Sequence, residues 1–184
     1  MNAAQIAAEA YEHRHASQRQ PELRAVIELV AVAKPKVIVE IGCDMGGTLF
    51  CWRQLCDQVY GITLPDNSWP TGGQSGPLDD HGATVFRGDS HDPEAFVWLW
   101  RQLGDRRIDV LHVDGDHSYQ GVASDVLTFS PLVRPGGLVL IHDVCNDRDP
   151  RVEVPRFWAD WSPGRNTRVI TAGPVPLGFG VVTI

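Results

Sequence analysis

The chain has 184 residues, of which 43% are hydrophobic and 21% charged, the balance of an ordinary globular protein with one substantial core. Its net charge of -7 argues against nucleic acid as the main partner, because phosphate binding needs a basic surface. No apolar run approaches the length of a membrane span and the first residues lack the apolar core of a signal peptide, so we expect a cytoplasmic protein of one domain, residues 1–184, without a membrane partner.

Two helices are predicted ahead of the first strand. A short helix over residues 3–15 has one apolar face and makes up most of an N-terminal extension, residues 1–20. That face packs either on the rest of the chain or on a second copy of it, and the second alternative would make the protein a homo-oligomer. The next helix begins near Pro21 and ends before Pro35, because proline is tolerated in a first helical turn but not inside a helix.

A strand, a glycine turn and a helix follow one another at residues 37–55. Residues 37–41 are almost all apolar, which is typical of a parallel strand covered by helices on both faces. Three glycines break this pattern, and apolar residues then recur at the spacing of one helix face. Such a turn brings backbone N–H groups and a helix N-terminus up to a ligand.

The spacing of these glycines distinguishes two kinds of nucleotide site. A dehydrogenase-type fold has the pattern G-x-G-x-x-G, whereas here the acid Glu40 stands two residues before Gly42 in an otherwise apolar strand. Burying an acid is costly unless hydrogen-bond donors satisfy it. The alternative without a ligand is a structural strand that ends in a tight turn.

The pattern E-x-G-x-x-x-G-G-T at residues 40–48 closely resembles the first motif of the class I S-adenosylmethionine-dependent methyltransferases. The resemblance implies that the turn lies against the methionine end of the cofactor and that the acid helps to hold the turn. It therefore implies cofactor-binding roles for Glu40, Gly42, Asp44, Gly46, Gly47 and Thr48.

The rest of the chain alternates predicted strands and helices. Strands are predicted at 58–63, 83–87, 108–113, 138–141, 168–172 and 178–184, with helices at 93–103, 121–129 and 156–161 and a turn at 135–137. Residues 64–82 are rich in proline and glycine, which indicates a long loop. We predict an α/β fold: a Rossmann-like, doubly wound, seven-stranded sheet, mostly parallel with an antiparallel last strand, and helices on both faces.

Two further segments resemble cofactor contacts of that family. The second strand of a relative usually ends in an acid that binds the ribose hydroxyls, whereas this chain has Thr63 there. Thr63, a backbone carbonyl or Asp66 are the alternatives for that role. After the third strand, Asp89 and Ser90 resemble positions that contact adenine, although they could instead only cap the next helix.

Two clusters of acids and histidines follow predicted strands, Asp114-Gly-Asp-His117 and His142-Asp143. The carboxyl ends of parallel strands meet at one edge of a sheet, so we expect these side chains to converge on one pocket. Carboxylates with imidazole there suit a divalent cation, either Mg²⁺ or a softer ion. An imidazole near neutral pKa also suits proton removal from an alcohol. As alternatives, His117 could only cap the following helix and Asp116 could only be solvated.

The run Asp-Gly-Asp-His-Ser-Tyr, followed by Pro-Gly-Gly and a strand ending in His-Asp, resembles a branch of small O-methyltransferases. That branch includes metal-dependent macrolide-sugar enzymes and cephalosporin-hydroxylase-like proteins. The resemblance implies that Asp114, His142 and Asp143 bind metal, that Asp114 also contacts the cofactor, and that His117 is the catalytic base. The metal-binding relatives have two acidic or amide side chains where His142 and Asp143 stand, so the histidine is a departure.

These patterns together predict a methyltransferase that uses S-adenosylmethionine. Its substrate would be a small molecule with a hydroxyl group, a sugar or a secondary metabolite, and a divalent cation such as Mg²⁺ would assist. The alternatives are a metal-dependent hydroxylase-like or hydrolytic enzyme on the same fold, and a domain that binds a cofactor without catalysis. Fold analogy cannot decide among them.

Overall fold

A computed structural model describes residues 1–65 and 76–184. Within these residues, one sheet carries seven strands: β1 Val37–Ile41, β2 Gln58–Thr63, β3 Thr84–Arg87, β4 Ile108–Val113, β5 Val133–His142, β6 Asn166–Ile170 and β7 Phe179–Thr183. The α-helices are α1 Ala3–His13, α2 Gln20–Ala33, α3 Gly47–Arg53, α4 Pro93–Leu103, α5 Tyr119–Phe129 and α6 Val154–Trp161, and a 3₁₀ turn occupies Ser130–Leu132. None of these helices is both long and apolar enough to cross a bilayer.

The strand order is β3-β2-β1-β4-β5-β7-β6. Strands β1 to β5 pair in parallel, and β7 runs antiparallel to both β5 and β6. This confirms the predicted Rossmann-like sheet with an antiparallel last strand. The order reverses between β1 and β4, and ligands bind outside the carboxyl ends of strands at such a switch point.

Alternate residues of β1 face two separate layers of the core, which explains why the strand is apolar throughout. Ile38 packs with the buried side chains of α1, α2 and α3 on one face of the sheet. Val39 packs with those of α4, α5 and α6 on the other face. Residues of β4 and β5 divide between the same two layers. Helices on both faces therefore leave the carboxyl edge as the open side of the sheet.

The prediction of a separate turn at Pro135-Gly136-Gly137 was wrong. These residues lie inside β5, which starts at Val133. The pairing of β5 with β4 shifts register between Val133 and Leu138, and Gly136 adopts a φ of +74°. The turn-forming residues thus make an irregularity within the strand, because pairing with β4 resumes beyond them.

Candidate active site

Glu40, the acid of β1, anchors the N-terminus of α3 by a hydrogen bond. Glu40 is fully buried, and its Oε1 accepts a hydrogen bond from the hydroxyl of Thr48 at the start of α3. The same oxygen lies 3.0 Å from Nδ1 of His112 on β4. These partners satisfy one oxygen of the buried carboxylate, whereas Oε2 has no hydrogen-bond partner among the described residues. The histidine partner was not anticipated, because nothing local in a strand interior indicates which residue faces it across the sheet.

The glycines of the turn allow other parts of the chain to approach closely. A Cβ on Gly42, where φ is +83°, would lie 2.0 Å from the carbonyl oxygen of Asp114. A Cβ on Gly46 would meet the carbonyl of Asp79 at 1.9 Å, and one on Gly47 would meet the backbone nitrogen of Ala16 at 2.4 Å. A side chain at these positions would therefore displace protein backbone. The packing that shapes the site therefore requires glycine at these positions.

A cavity of about 360 Å³ opens at the carboxyl edge of β1, β4 and β5, within the usual size range of small-molecule sites. Most of the residues predicted to bind cofactor or metal or to act as the base line it: Gly42, Asp44, Gly47, Thr48, Thr63, Asp89, Ser90, Asp114, His117, His142 and Asp143. Glu40 and Gly46 lie behind the wall. They support the turn and do not line the cavity.

The end of the cavity next to β2 and β3 carries the positions compared with ribose and adenine contacts. The carbonyl of Thr63 accepts a hydrogen bond of 2.8 Å from the backbone nitrogen of Gly88, and its second lone pair and the side-chain hydroxyl are the groups that Thr63 has to offer a ligand. Asp66, the other alternative, lies outside the described residues. Asp89 shapes its own loop, because its Oδ1 accepts from the backbone nitrogen of His91 at 2.9 Å.

The two acid and histidine clusters converge at the other end of the cavity. Oδ1 of Asp114 lies 3.3 Å from Nε2 of His117 and 3.2 Å from Nδ1 of His142. Oδ2 of Asp143 lies 3.6 Å from the same nitrogen of His117 and 3.2 Å from that of His142. The other carboxylate oxygen of Asp143 accepts from the amide of Asn146 at 2.8 Å. Two carboxylates therefore face two imidazoles, as predicted from the strand ends.

Close contact shifts the ionisation of this cluster. Burial acts to raise the pKa of Asp114, but His142 and His117 outweigh it and hold that pKa well below its usual range. Burial acts to lower the pKa of His142, and Asp114 with Asp143 reverses this and raises it to about 10. The same carboxylates raise the pKa of His117 against its burial. Each charge is thus held in place by its opposite.

Three described residues have ligand atoms placed to share a metal ion: Asp114, His117 and Asp143, whose atoms lie within 4.8 Å of one another. The predicted set has His142 in place of His117, and Nδ1 of His142 also lies beside both carboxylates. Two carboxylates and an imidazole are a donor set that divalent cations accept, so the residues fit the implied metal. The same Nε2 of His117 cannot hold an ion and take a proton at once.

The N-terminus of α5 is capped by side chains other than that of His117. The side chain of Ser118 accepts from the backbone nitrogen of Gly121 at 3.0 Å, and Oδ1 of Asp116 accepts from the nitrogen of Ser118 at 2.8 Å. The alternative that His117 only caps the helix is therefore wrong, and so is a merely solvated Asp116. The His117 carbonyl instead accepts from Glu153 nitrogen, which ties the β4–α5 turn to α6.

Two residues of the segment between α1 and α2 belong to the site but carry no motif. Gln18 donates its amide to Oδ2 of Asp114 at 2.6 Å, and Ser17 donates its hydroxyl to Asp44 at 3.1 Å. Both line the cavity. Sequence reasoning missed them because a polar pair before a helix is ordinary, and only the folded path of the chain brings it over the glycine turn.

Cys43 fills the interior of the same turn. It is 1% exposed, and its thiol lies 3.8 Å from the carbonyl oxygen of Ile62 on β2. A Cβ on Gly61 would come within 2.8 Å of the sulfur, so the glycine in β2 makes room for it. Burial, and then the charge of Glu40, raise the pKa of the Cys43 thiol well above its usual range.

The sheet order, the glycine turn after β1 and the cluster after β4 and β5 define the class I methyltransferase fold. The family described as "Methyltransferase domain" matches residues 39–144, more than half of the chain. The chain belongs to this family, which confirms the class predicted from the sequence.

Two curated relatives resemble the chain in sequence, and a solved structure resembles it in fold. Demethylmacrocin O-methyltransferase of Streptomyces fradiae is 28% identical over 123 residues, 66% of this chain and 27% of that protein. Mycinamicin VI 2''-O-methyltransferase of Micromonospora griseorubida is 30% identical over 101 residues, 54% of this chain and 23% of that protein. The MycE methyltransferase of the mycinamycin pathway, solved with Mg, SAH and mycinamycin VI, shares the fold at a TM-score of 0.66 and 19% identity, over 100% of this chain and 54% of its own. The chain thus spans about a quarter of the two curated relatives.

Proposed function

We propose that the chain is an S-adenosylmethionine-dependent O-methyltransferase domain that methylates a hydroxyl group of a small molecule, a sugar or another secondary metabolite. The observation that carries this proposal is one cavity with the glycine turn of β1 at one side and His117 between two carboxylates at the other. Membership of the methyltransferase family and the macrolide O-methyltransferase relatives support it.

The charge of the cavity supports a cationic cofactor. The described lining residues include no lysine or arginine but six aspartates: Asp44, Asp89, Asp114, Asp116, Asp143 and Asp149. His91 and His142, whose pKa values are raised to about 9 and about 10, also line the cavity and offset part of this negative charge. S-adenosylmethionine carries a sulfonium and an ammonium group, and both are favoured by surrounding carboxylates. The same surroundings disfavour a polyanionic acceptor such as a phosphorylated sugar. A neutral or amino-bearing hydroxyl compound therefore fits the cavity better.

In the proposed reaction, the neutral form of His117 takes the proton of the substrate hydroxyl as the oxygen attacks the methyl carbon, and the raised pKa of His117 makes this form more abundant as pH rises. The C–O bond forms while the C–S bond breaks, its electron pair goes to sulfur, and the products are a methyl ether and S-adenosylhomocysteine. Asp114 and Asp143 hold the imidazole ring of His117 in place and stabilise the imidazolium that results. The cavity walls orient the two reactants, and this orientation supplies the remaining rate acceleration.

The implied divalent cation would be held by Asp114 and Asp143 with an imidazole, either His117 or, as the sequence predicts, His142. Such an ion lowers the pKa of a hydroxyl in contact with it. If His117 is the base, His142 completes the ligand set, because each nitrogen has one lone pair to give. The roles of these side chains, a cytoplasmic location and a homo-oligomer stay predictions.

Calorimetric titration with S-adenosylmethionine and with S-adenosylhomocysteine, each with and without Mg²⁺, tests the proposal. We expect both nucleosides to bind, and Asp114→Asn to weaken binding while Asp57→Asn, an exposed acid beside β2, leaves it unchanged. Release of S-adenosylhomocysteine in the presence of hydroxylated compounds, with a methyl ether identified by mass, would then find the substrate class. Failure of either nucleoside to bind would contradict the proposal, and metal-dependent turnover without a methyl donor would favour a hydroxylase-like or hydrolytic enzyme.

A further inference from the structure

Residues 14–18, which follow α1, lie directly on the glycine turn, and we call them the connector. Its Ala16 backbone is so close to Gly47 that a Cβ there would sit 2.4 Å from the nitrogen. The backbone nitrogens of Arg14 and Ala16 both donate to the carbonyl of Ala10, which anchors the connector to the end of α1. His15 adopts a φ of +61°, so the chain turns sharply here. The N-terminal extension therefore forms one wall of the cavity.

Gln18 is a connector residue whose side chain contacts the acid and histidine cluster. It is 5% exposed, and its Nε2 donates to Oδ2 of Asp114 at 2.6 Å. Because a carboxylate only accepts, the amide nitrogen must face Asp114 and the amide oxygen must point elsewhere. The other oxygen of Asp114 faces the two imidazoles, so the bond from Gln18 sets the rotation of this carboxylate.

The amide oxygen of Gln18 is buried and has no hydrogen-bond partner among the residues that the structure describes. Leaving a buried acceptor unpaired costs free energy, so a ligand that donates a hydrogen bond to it would recover this free energy. Gln18 lines the cavity together with the glycine turn, where the methionine part of the proposed cofactor would lie. That part carries an ammonium group, which is a charged donor.

We propose that Gln18 has two roles in ligand binding: its amide nitrogen positions Asp114, and its amide oxygen accepts a hydrogen bond from the ammonium group of the cofactor. This inference rests on the proposed function and adds a residue that no motif indicates. A substrate hydroxyl is the other donor that could reach a glutamine oxygen. The two sources are separated by ligands that differ only in the methionine part.

The test compares Gln18→Met, which keeps the length of the side chain but cannot donate or accept through an amide, with the unaltered protein. S-adenosylhomocysteine has the ammonium group, and 5′-methylthioadenosine lacks it. We expect Gln18→Met to weaken binding of the first by about tenfold to a hundredfold, the scale of a hydrogen bond to a charged group, and to leave binding of the second nearly unchanged. Gln20→Met, at the start of α2 and outside the cavity lining, is the matched control.

Equal losses for both nucleosides would overturn the inference, because they would indicate a general disturbance of the wall. Unchanged affinity for S-adenosylhomocysteine in a folded Gln18→Met protein would also overturn the inference. The proposed function would stand in that case, because the unaltered protein binds the nucleoside. No binding to the unaltered protein would overturn both. If Gln18→Met does not fold, the side-chain amide resonances of Gln18 in the unaltered protein supply the readout. They should shift with S-adenosylhomocysteine and not with methylthioadenosine, and the absence of a difference counts against the inference.

Discussion

Nε2 of His91 lies 3.4 Å from Oδ1 of Asp125, and this ion pair joins the loop after β3 to the middle of α5. Asp125 is fully buried, whereas the imidazole lines the cavity. The bond with Asp125 raises the pKa of His91 to about 9 against the effect of partial burial, and Asp89 and Asp116 add to the rise. The wall beside Asp89 and Ser90 is thus held by a charged histidine at neutral pH.

Replacing Asp125 by asparagine should lower the pKa of His91 toward the usual value of about 6.5. An NMR titration of the imidazole would measure it, with Asp105→Asn, an exposed acid after α4, as the control. The raised pKa of His91 determines how the stability contributed by this ion pair changes with pH. The ion pair contributes its full stability below the pKa of the unfolded chain, about 6.5, and loses it as pH rises through about 9. A titration midpoint unchanged in Asp125→Asn would show that another group holds the charge.

Removing the imidazole of His117 should slow turnover by about a hundredfold to ten-thousandfold, the usual scale for loss of a general base. Affinity for S-adenosylhomocysteine should be largely kept in His117→Ala, because the glycine turn and Gln18 remain. Steady-state rates and calorimetry on the same preparations would separate these effects. His13→Ala, at an exposed position at the end of α1, is the control. Normal turnover would assign deprotonation to another group.

Asp143→Asn should weaken binding of Mg²⁺ or Mn²⁺ by about tenfold or more, because one of two carboxylates is lost from the ligand set. Asp147→Asn, an exposed acid four residues along, should have no effect. Calorimetry with the metal alone measures this without a substrate. A chelator should also reduce turnover. Full activity in chelator, with no metal in the protein, would leave Asp114 and Asp143 with electrostatic roles only.

Thr63→Val should reduce affinity for S-adenosylhomocysteine by about twofold to tenfold, the range for one neutral hydrogen bond. Valine has nearly the same shape, so the packing of β2 is kept while the hydroxyl at the cavity is lost. Thr167→Val on the outer strand β6 is the matched control, and calorimetry is the measurement. If the two variants bind equally well, the ribose contact must come from elsewhere than the Thr63 hydroxyl.

The strands and the convergence of Asp114 with Asp143 were predictable because both depend on rules that act over short stretches. A strand buried on both faces is apolar throughout, as β1 is, and parallel strands bring their ends to one edge. The cost of burying a lone carboxylate indicated that Glu40 needs hydrogen-bond donors, and the resemblance to the methyltransferase family implied that it supports the turn.

The remaining parts of the site depend on contacts that have no local signature. Gln18 and Asp114 are 96 residues apart, and their contact depends on the path of the connector over the glycine turn. The pairing of His112 with Glu40 depends on strand register, which single-sequence patterns do not specify. At Pro135, the local preference for a turn is outweighed by pairing of β5 with β4 on both sides of the irregularity.

The thiol of Cys43 inside the glycine turn provides a way to measure local opening of this region. A thiolate is the reactive form of cysteine, and Cys43 is both sealed from solvent and held in the neutral state. An alkylating reagent therefore modifies it only during excursions in which β1 and α3 separate, and the rate of labelling measures how often these occur. The labelling rate of Cys43 thus reports on local opening at the centre of the sheet. A molecule that binds to the turn should lower that rate.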